Sequence, residues 1–336
     1  MAKKEKMLPW LFVVVALTTV LKAVFVFKYT AYYNYLSSDM LGYWSRAFQR
    51  YDGDLFSINQ WVIWPPLFHI ILAGIFKTNQ FLGLFHRNLE VVLSLNILFS
   101  SLSVVYLYFI AVIFSRNSLI ALCTASLYAL TYHCLYFNAF ILSENFAVPI
   151  VIAALYYLLR NKKGYYLLSG ALLAIATGIR PGYGLLGLSF GLYALLSDSK
   201  TIRLDWKRTI FFNGFGKAAL FSLAFMLCIA AIVAENNYIS KGRLKGLAAS
   251  SGLNYYFSFT KTYEVRSRFD GYHYVIIPPG TVRNPENGKL MTINPIYDGA
   301  FFKKLANAYI NDHPYILVTK IKDLWDLYFG TLFPSY

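Results

Sequence analysis

The stretch LEVVLSLNILFSSLSVVYLYFIAVIF, Leu89–Phe114, decides the fold class of this chain. It is longer than the roughly 20 apolar residues with which a helix crosses a hydrocarbon core of about 30 Å. Its one charged residue, Glu90, lies next to one end. Two further long apolar runs, Leu8–Phe27 and Ala218–Ala234, lie before and after it. The sequence therefore predicts an integral membrane protein with several spanning helices.

Composition supports the same class. Of 336 residues, 57% are apolar and 14% are charged, whereas an ordinary soluble domain has about 25% charged residues. So little charge cannot coat a soluble surface. The net charge of +15 is best explained by cytoplasmic loops and by contact with anionic phosphates, including those of membrane lipids. Membrane lipids are therefore predicted partners, and nucleic acid is not.

The number of spans depends on one apolar run that is interrupted. Four other runs of 14 or more residues add to the long ones: Leu119–Phe137, Phe146–Leu159, Tyr165–Ile179 and Tyr183–Leu196. The run Trp61–Phe76 differs because Pro65 and Pro66 forbid an ordinary helix through that point. If it does not cross, the cytoplasmic loops gather more of the lysines and arginines, as such loops usually do. We expect about seven spans, with Trp61–Phe76 as a re-entrant or interfacial helix.

This topology predicts an all-α polytopic bundle with one large extramembrane segment. Residues 1–235 form the membrane module, and its first outer loop covers residues 28–88. Residues 236–336 form a small mixed α/β cap on the same outer side, ending in an amphipathic or partial membrane helix. Strand-like Tyr272–Ile277 and the turn residues Pro278-Pro279-Gly280 suggest its mixed character.

Two acidic residues at predicted span ends are candidates for chemistry. Asp39, in SSDMLGYWSRAFQ, either caps a short helix over Met40–Arg50 or acts as a general base at a membrane cavity. Glu144, in FNAFILSENFAVP, either starts a helix favourably or has a functional role, because an ionisable group among apolar residues is costly.

Cations and a histidine supply the remaining candidates. Arg180, in GIRPGYG, is a snorkelling anchor, a phosphate ligand or a partner of Glu144. Lys241 and Arg243, in NNYISKGRLKG, contact either phosphates or lipid headgroups. His69, in PPLFHII, is either a packed residue or a ligand.

Several kinds of site are not indicated by the sequence. There is no Gly-rich phosphate loop after a strand and no metal-spaced His/Cys cluster. Asp52-Gly53-Asp54 matches the metal-binding DxD of many glycosyltransferases, but Asp and Gly are also ordinary turn residues. No metal ligands and no certain cofactor are predicted, and a divalent metal is left open.

Taken in order, these motifs resemble a known family. The set comprises Asp39 with Tyr43, Trp64-Pro65-Pro66-Leu67-Phe68-His69, Ser143-Glu144, Gly170 to Arg180-Pro181, the stretch NNYISKGRLKGLAASSGLNYY and His313-Pro314. It resembles the GT-C membrane glycosyltransferases, in particular the branch of protein O-mannosyltransferases and aminoarabinose transferases (glycosyltransferase family 39-like). The resemblance covers nearly the whole chain.

The resemblance implies sugar transfer from a polyprenyl or dolichyl phosphate to an acceptor hydroxyl at the non-cytoplasmic face. Asp39 would deprotonate or orient the hydroxyl of a glycan, lipid or protein acceptor. Glu144 would assist the acceptor or a metal, and Arg180 and Arg243 would hold the donor phosphate. The predicted substrate-binding set is Tyr43, His69, Arg180, Lys241, Arg243 and Asn254. A single base with in-line attack predicts inversion, and a bacterial inner membrane is the expected location.

Two other function classes fit parts of the sequence. A transporter or flippase of a lipid-linked substrate would need charges deep in several spans, and only Lys22 and Glu90 approach this, both near predicted span ends. A truncated, non-catalytic relative is the third hypothesis. It is suggested by Asp39-Met40 in place of the family's commoner Asp-Glu and by an early end at Tyr336.

Overall fold

The computed structural model describes most of the apolar part of the chain. The described residues are 7–36, 38–53, 65–197, 213–242, 246–248, 251–259, 264–267, 273–276, 281–283, 290–292 and 299–321. The chain divides into two compact units. Met1–Asn59 and Pro65–Leu247 make the first, and Gln60–Trp64 and Ala248–Tyr336 make the second.

The described part of the first unit is helical. Its α-helices are α1 Leu8–Val24, α2 Ser38–Tyr51, α3 Pro66–Phe81, α4 Asn88–Ser115, α5 Ser118–Ala129, α6 Tyr132–Tyr136, α7 Glu144–Leu159, α8 Lys163–Ile179, α9 Leu186–Leu196 and α10 Asn213–Ile239. A π-helical turn, Phe25–Tyr29, extends α1, and a 3₁₀ turn, Pro181–Leu185, leads into α9. Proline begins that turn because its fixed φ suits a first helical position and it lacks only an N–H that would be unpaired there.

Three helical segments are long and apolar enough to cross a membrane: Leu8–Tyr29, Phe85–Ser115 and Gly214–Ile239. Ser118–Ala129, Glu144–Leu159, Lys163–Ile179 and Pro181–Leu196 are shorter apolar helices. On α10, Leu223, Met226 and Leu227 are exposed, as expected of side chains that face lipid. The structure thus confirms a helical membrane protein, and the number of about seven spans stays a prediction.

Side-chain contacts fix the relative directions of the first helices. Lys22 of α1 donates from Nζ to Ser100 Oγ of α4 at 2.8 Å, and Thr19 donates to Ser101 at 2.7 Å. From the first pair to the second, the residue number falls along α1 and rises along α4, so these two helices are antiparallel. In contrast, α4 and α7 are parallel. Phe99 packs on Phe146 with ring centroids 4.9 Å apart, and Tyr106 packs on Tyr156 at 5.4 Å.

Small residues allow the later helices to pack closely. Ser169 of α8 donates to the Ala154 carbonyl of α7 at 2.8 Å. A Cβ on Gly170 would clash with the Phe221 carbonyl of α10, and one on Gly178 would lie 2.5 Å from Ile232. Close approach of backbones through small residues is how membrane helices associate without a hydrophobic drive. Residue numbers rise together along these contacts, from Gly170 with Phe221 to Gly178 with Ile232, so α8 and α10 are parallel. Because Arg180 at the end of α8 contacts Glu144, both helices end near the start of α7.

Helix α3 lies beside only part of this bundle. Its 16 residues extend about 24 Å, which is less than a hydrocarbon core of about 30 Å. Near its start, Phe68 packs on Phe146 with centroids 5.4 Å apart. Near its end, Asn79 donates to the side chain of Asn88, the first residue of α4, at 2.7 Å. Since Phe146 packs on Phe99, α3 follows the N-terminal part of α4.

The second unit contains short strands and two α-helices, α11 Ser251–Phe259 and α12 Gly299–Asp312. Strands β1 Glu264–Ser267 and β2 His273–Ile276 form one antiparallel pair, with Glu264 opposite Ile276. Strands β3 Thr281–Arg283 and β4 Leu290–Thr292 form another, with Thr281 opposite Thr292. Tyr255 of α11 donates to Asn307 of α12 at 3.1 Å.

Candidate active site

Tyr43 joins α2 to the start of α7. It is buried in α2, where its ring packs edge-on against Phe68 of α3 with centroids 4.8 Å apart. Its hydroxyl shares a hydrogen bond with the side chain of Ser143, the residue before Glu144. Tyr43 and Ser143 thus hold together two segments that are far apart in the sequence.

The electrostatic surroundings of Tyr43 show which charges lie near it. Burial is the main reason that its pKa is raised to about 12, and the nearby carboxylates of Asp39 and Glu144 raise it further. Ser143 and Arg180 act in the opposite direction. The phenol therefore stays protonated at neutral pH and can donate a hydrogen bond. We call Asp39, Tyr43, Ser143, Glu144 and Arg180 the Tyr43 cluster.

Glu144 and Arg180 form an ion pair within this cluster. Arg180 Nη1 contacts Glu144 Oε1, and Ser143 Oγ donates to Glu144 Oε2 at 3.0 Å. The side chains of Arg180 and Glu144 are 51% and 40% exposed. A pair this exposed contributes little to stability, so both charged groups remain accessible to a ligand. The ion pair confirms one of the alternatives for Arg180, the pairing with Glu144.

Asparagine side chains position Glu144. Asn96 of α4 donates to the carbonyls of Asn138 and Phe140, at 3.2 and 2.9 Å. Asn145 donates to Phe137 and Phe140, both at 2.8 Å. A loop buried against helices needs partners for its backbone carbonyls, and these two amides supply them. The sequence analysis missed both.

Asp39 lies on the exposed side of the Tyr43 cluster, in the first turn of α2. The helix begins at Ser38, not at the predicted Met40, so Asp39 is inside the helix and not its cap. A carboxylate in the first turn is still favourable because the helix dipole is positive there. Its position therefore suits the helix and also leaves the carboxylate accessible.

His69 belongs to a second group of charged residues. It is 1% exposed, and neither ring nitrogen has a hydrogen-bond partner among the described residues. The guanidinium groups of Arg46 and Arg50 act on it electrostatically. Arg50 forms an ion pair with Glu235 of α10. We call Arg46, Arg50, His69 and Glu235 the Arg50 cluster, of which the sequence analysis singled out only His69.

The remaining predicted residues are not brought to either cluster by the described contacts. Lys241 is exposed in the turn after α10, with a left-handed φ of 52°. Asn236, which is buried, supports this turn by donating to the carbonyls of Gly246 and Leu247 at 2.9 and 3.1 Å. Arg243 lies outside the described residues. Asn254 is in α11 of the second unit, and its side chain is likewise outside them.

The described residues contain no group of three His, Cys, Asp or Glu side chains that could hold a metal. Within the DxD sequence, Gly53 adopts a φ of 84° at the end of α2, as a turn requires. Asp54 lies outside the described residues. The turn interpretation of Asp52-Gly53 therefore fits the backbone.

A bundle of apolar helices with ionisable residues gathered at one end defines an integral membrane protein. Residues 65–224 match the family model of dolichyl-phosphate-mannose-protein mannosyltransferases. The match runs from the start of α3 into α10 and confirms the resemblance to GT-C, family 39-like enzymes. It supports a membrane glycosyltransferase of the GT-C type. No curated protein and no solved structure matches the chain at a significant level.

Proposed function

We propose that this protein transfers a sugar from a polyprenyl- or dolichyl-phosphate donor to an acceptor hydroxyl at the non-cytoplasmic face of the membrane, with inversion. The observation that carries the proposal is the convergence of Asp39, Glu144 and Arg180 on Tyr43. The family match, which covers α3 to α10, supports the same reaction class.

The packing of α3 supports a common compartment for the two carboxylates. Phe68 near its start and Asn79 near its end both contact residues at the N-terminal side of α4 and α7. Both ends of α3 thus lie beside the N-terminal half of α4, which is consistent with a helix that does not cross, with about seven spans and with an outer loop over residues 28–88. Residues 1–235 then form the membrane module, and residues 236–336 form a cap outside it.

The chemical step follows from the charges at the site. The acceptor oxygen attacks the anomeric carbon from the side opposite the phosphate. A new carbon–oxygen bond forms as the bond to the phosphate oxygen breaks, and the electron pair leaves with the polyprenyl phosphate. The acceptor proton passes to Asp39, which is the general base. One displacement from the opposite side inverts the anomeric centre.

Cations on the same face stabilise the leaving group. Arg180 is half exposed beside Glu144 and can turn towards a donor phosphate, where charge develops as the glycosidic bond breaks. Lys241 and Arg243 complete the donor site. The Tyr43 phenol donates to Ser143, which donates to Glu144, and Glu144 orients the acceptor. His69 is buried in the Arg50 cluster and acts on the site through α2, which carries Asp39 and Tyr43. The membrane is a bacterial inner membrane.

The decisive experiment replaces the base. Asp39→Asn keeps the size of the side chain but cannot accept the proton, so we expect transfer to fall by about 10²–10⁴-fold. The assay offers purified protein a panel of polyprenyl-phosphate sugars in detergent and measures release of polyprenyl phosphate. Asp52→Asn, an exposed change at the other end of α2, is the control and should retain transfer. Full activity of Asp39→Asn would remove Asp39 as the base.

A further inference from the structure

A cavity of about 190 Å³ lies at the end of the bundle that is away from the Tyr43 cluster. Glu144 begins α7 and Arg160 directly follows its last residue, so the two are about 24 Å apart along the helix. Arg160 lines the cavity, and three helices supply the rest of its wall, including Leu8 of α1, Tyr108, Phe109 and Val112 of α4, and Tyr156 of α7. Its volume is below the roughly 300–1,000 Å³ of a complete small-ligand site, so it can enclose only part of a ligand.

Arg160 brings a positive charge to the edge of this cavity. Its side chain is exposed, and its guanidinium carbon lies 5.8 Å from the centroid of the Tyr156 ring. A cation held over an aromatic face keeps its full charge. No carboxylate among the described residues forms an ion pair with Arg160. The guanidinium is therefore oriented at the mouth of an apolar cavity, where its charge can meet an anion.

The same end of the bundle carries further cations. Arg116 follows α4, and Lys162 and Lys163 lie at the start of α8; all three are exposed. The described residues 108–120 and 156–165 include no Asp or Glu. The two lysines are at a helix N-terminus, where the helix dipole disfavours positive charge, so α8 itself gains nothing from them. A bound anion would compensate these charges.

Trp10 indicates the depth of the cavity in the membrane. It is 60% exposed in the first turn of α1, two residues after Leu8, and exposed tryptophans favour the headgroup level of a bilayer. A ligand here meets cations at headgroup level and apolar side chains such as Val112 beside them. In the predicted topology this is the cytoplasmic end, and anionic lipids give that leaflet a negative surface. Negative charge joined to an apolar chain is the chemistry of an anionic phospholipid.

We propose that the first unit binds one anionic phospholipid at this end, with its phosphate at Arg160 and part of one acyl chain in the cavity between α1, α4 and α7. Cations in cytoplasmic loops follow from topology alone, but topology does not require an apolar cavity beside one of them. The bound lipid joins the start of α1 to the ends of α4 and α7. This site is separate from the Tyr43 cluster and does not depend on the proposed reaction.

Binding is tested by native mass spectrometry of the purified, delipidated protein in detergent. Phosphatidylglycerol and phosphatidylcholine with the same acyl chains are titrated, and their dissociation constants are compared. We expect phosphatidylglycerol to bind about five- to tenfold more tightly, because its headgroup carries a net negative charge. Arg160→Gln should remove most of this preference. Arg87→Gln, which changes an exposed arginine just before α4, should keep it. Equal binding of the two lipids by the wild type would overturn the proposal.

A second pair of variants tests the acyl chain. Val112→Phe fills the cavity, and Leu119→Phe places a phenylalanine at an exposed position of α5. Val112→Phe should weaken phosphatidylglycerol binding about tenfold, and Leu119→Phe should leave it unchanged. If glycerol phosphate, which has no chain, competes as well as phosphatidylglycerol, the site holds phosphate alone and the lipid assignment fails. If Val112→Phe does not fold, this competition and Arg160→Gln decide.

Two further outcomes would contradict the site. If Lys163→Gln weakens phosphatidylglycerol binding as much as Arg160→Gln, the lipid is attracted by the charge of the whole end and is not bound at the cavity. If a polyprenyl phosphate competes more strongly than phosphatidylglycerol, the cavity takes an isoprenoid chain. Release of polyprenyl phosphate is measured separately, so a protein that releases it but retains no phosphatidylglycerol loses this site and keeps the proposed reaction.

Discussion

Two ion pairs lie near helix ends, but they differ in their contact with water. The Glu144–Arg180 pair joins α7 to the end of α8, and its side chains are 40% and 51% exposed. The Arg50–Glu235 pair joins α2 to α10. The Arg50 side chain is 10% exposed and that of Glu235 is 30% exposed. Both pairs combine one carboxylate with one guanidinium, so the difference is one of surroundings.

The surroundings decide what each pair can do. An exposed pair is screened by water and stabilises the fold by less than about 1 kcal/mol, so its groups can exchange one partner for a ligand at small cost. A mostly buried guanidinium has lost much of its hydration, so removal of its carboxylate leaves a charge that nothing replaces. The first pair therefore suits chemistry, and the second holds α2, which carries Asp39 and Tyr43, against α10.

The largest expected effect comes from breaking the buried pair on its acidic side. Glu235→Gln leaves the Arg50 guanidinium without its counter-charge, and we expect the free energy of unfolding to fall by about 2–3 kcal/mol. Thermal unfolding in detergent measures this loss of free energy. Arg50→Met should lower the free energy of unfolding by less, since Glu235 is the more exposed partner and can be hydrated. Equal losses for Glu235→Gln and Glu144→Gln would remove the contrast between the pairs.

The exposed pair should show the reverse pattern. Glu144→Gln keeps the shape and hydrogen-bonding capacity of the side chain but loses the charge that orients the acceptor in the proposed reaction. We expect the transfer rate to fall by about 10- to 100-fold, which corresponds to about 1.4–2.8 kcal/mol in the barrier. The unfolding free energy should change by less than about 1 kcal/mol. A variant that unfolds readily while its remaining folded fraction is fully active would contradict this role.

Residues of the Tyr43 cluster could be predicted because each follows from a local pattern. Asp39 with Tyr43, Ser143-Glu144 and Arg180-Pro181 all lie at the ends of apolar runs, and the topology places those ends together. The Arg50–Glu235 pair could not be predicted in this way, because its partners are 185 residues apart. The repeat of Arg46 and Arg50, four residues apart on one helix face, is the signal that could have marked it.

Two further features depend on tertiary packing. Leu119–Phe137 is a continuous apolar run, but the structure divides it between α5 and α6 at Leu130 and Thr131. Lys22 was predicted near a span end, yet it is fully buried and donates to Ser100. Neither the break nor the buried lysine follows from apolar composition, because both depend on which neighbouring helix offers a partner.

The donor side of the exposed pair can be tested separately. Arg180→Ala removes the guanidinium beside Glu144, and we expect the donor KM to rise about tenfold, the loss of about 1.4 kcal/mol of binding. The KM of the acceptor should be unchanged. Arg160→Ala, at the other end of α7, is the control, and the ratio of the two donor KM values is the measurement. An unchanged donor KM would leave the Glu144–Arg180 pair without a role in phosphate binding.

The smallest expected effect concerns Tyr43, which connects the exposed pair to α2. At pH 8, Tyr43→Phe should cost about 1 kcal/mol of unfolding free energy, because the hydrogen bond with Ser143 is lost.

The pKa of Tyr43 is raised to about 12 in the folded protein, against about 10 in the unfolded chain. The unfolded state therefore loses its proton first as pH rises. The stability that this phenol contributes is complete below pH 10 and is lost between about pH 10 and 12. By pH 11 the wild type should have lost about 1 kcal/mol relative to Tyr43→Phe, so the two melting temperatures should converge. A constant difference between pH 8 and pH 11 would show that the phenol titrates normally and is not enclosed by the cluster.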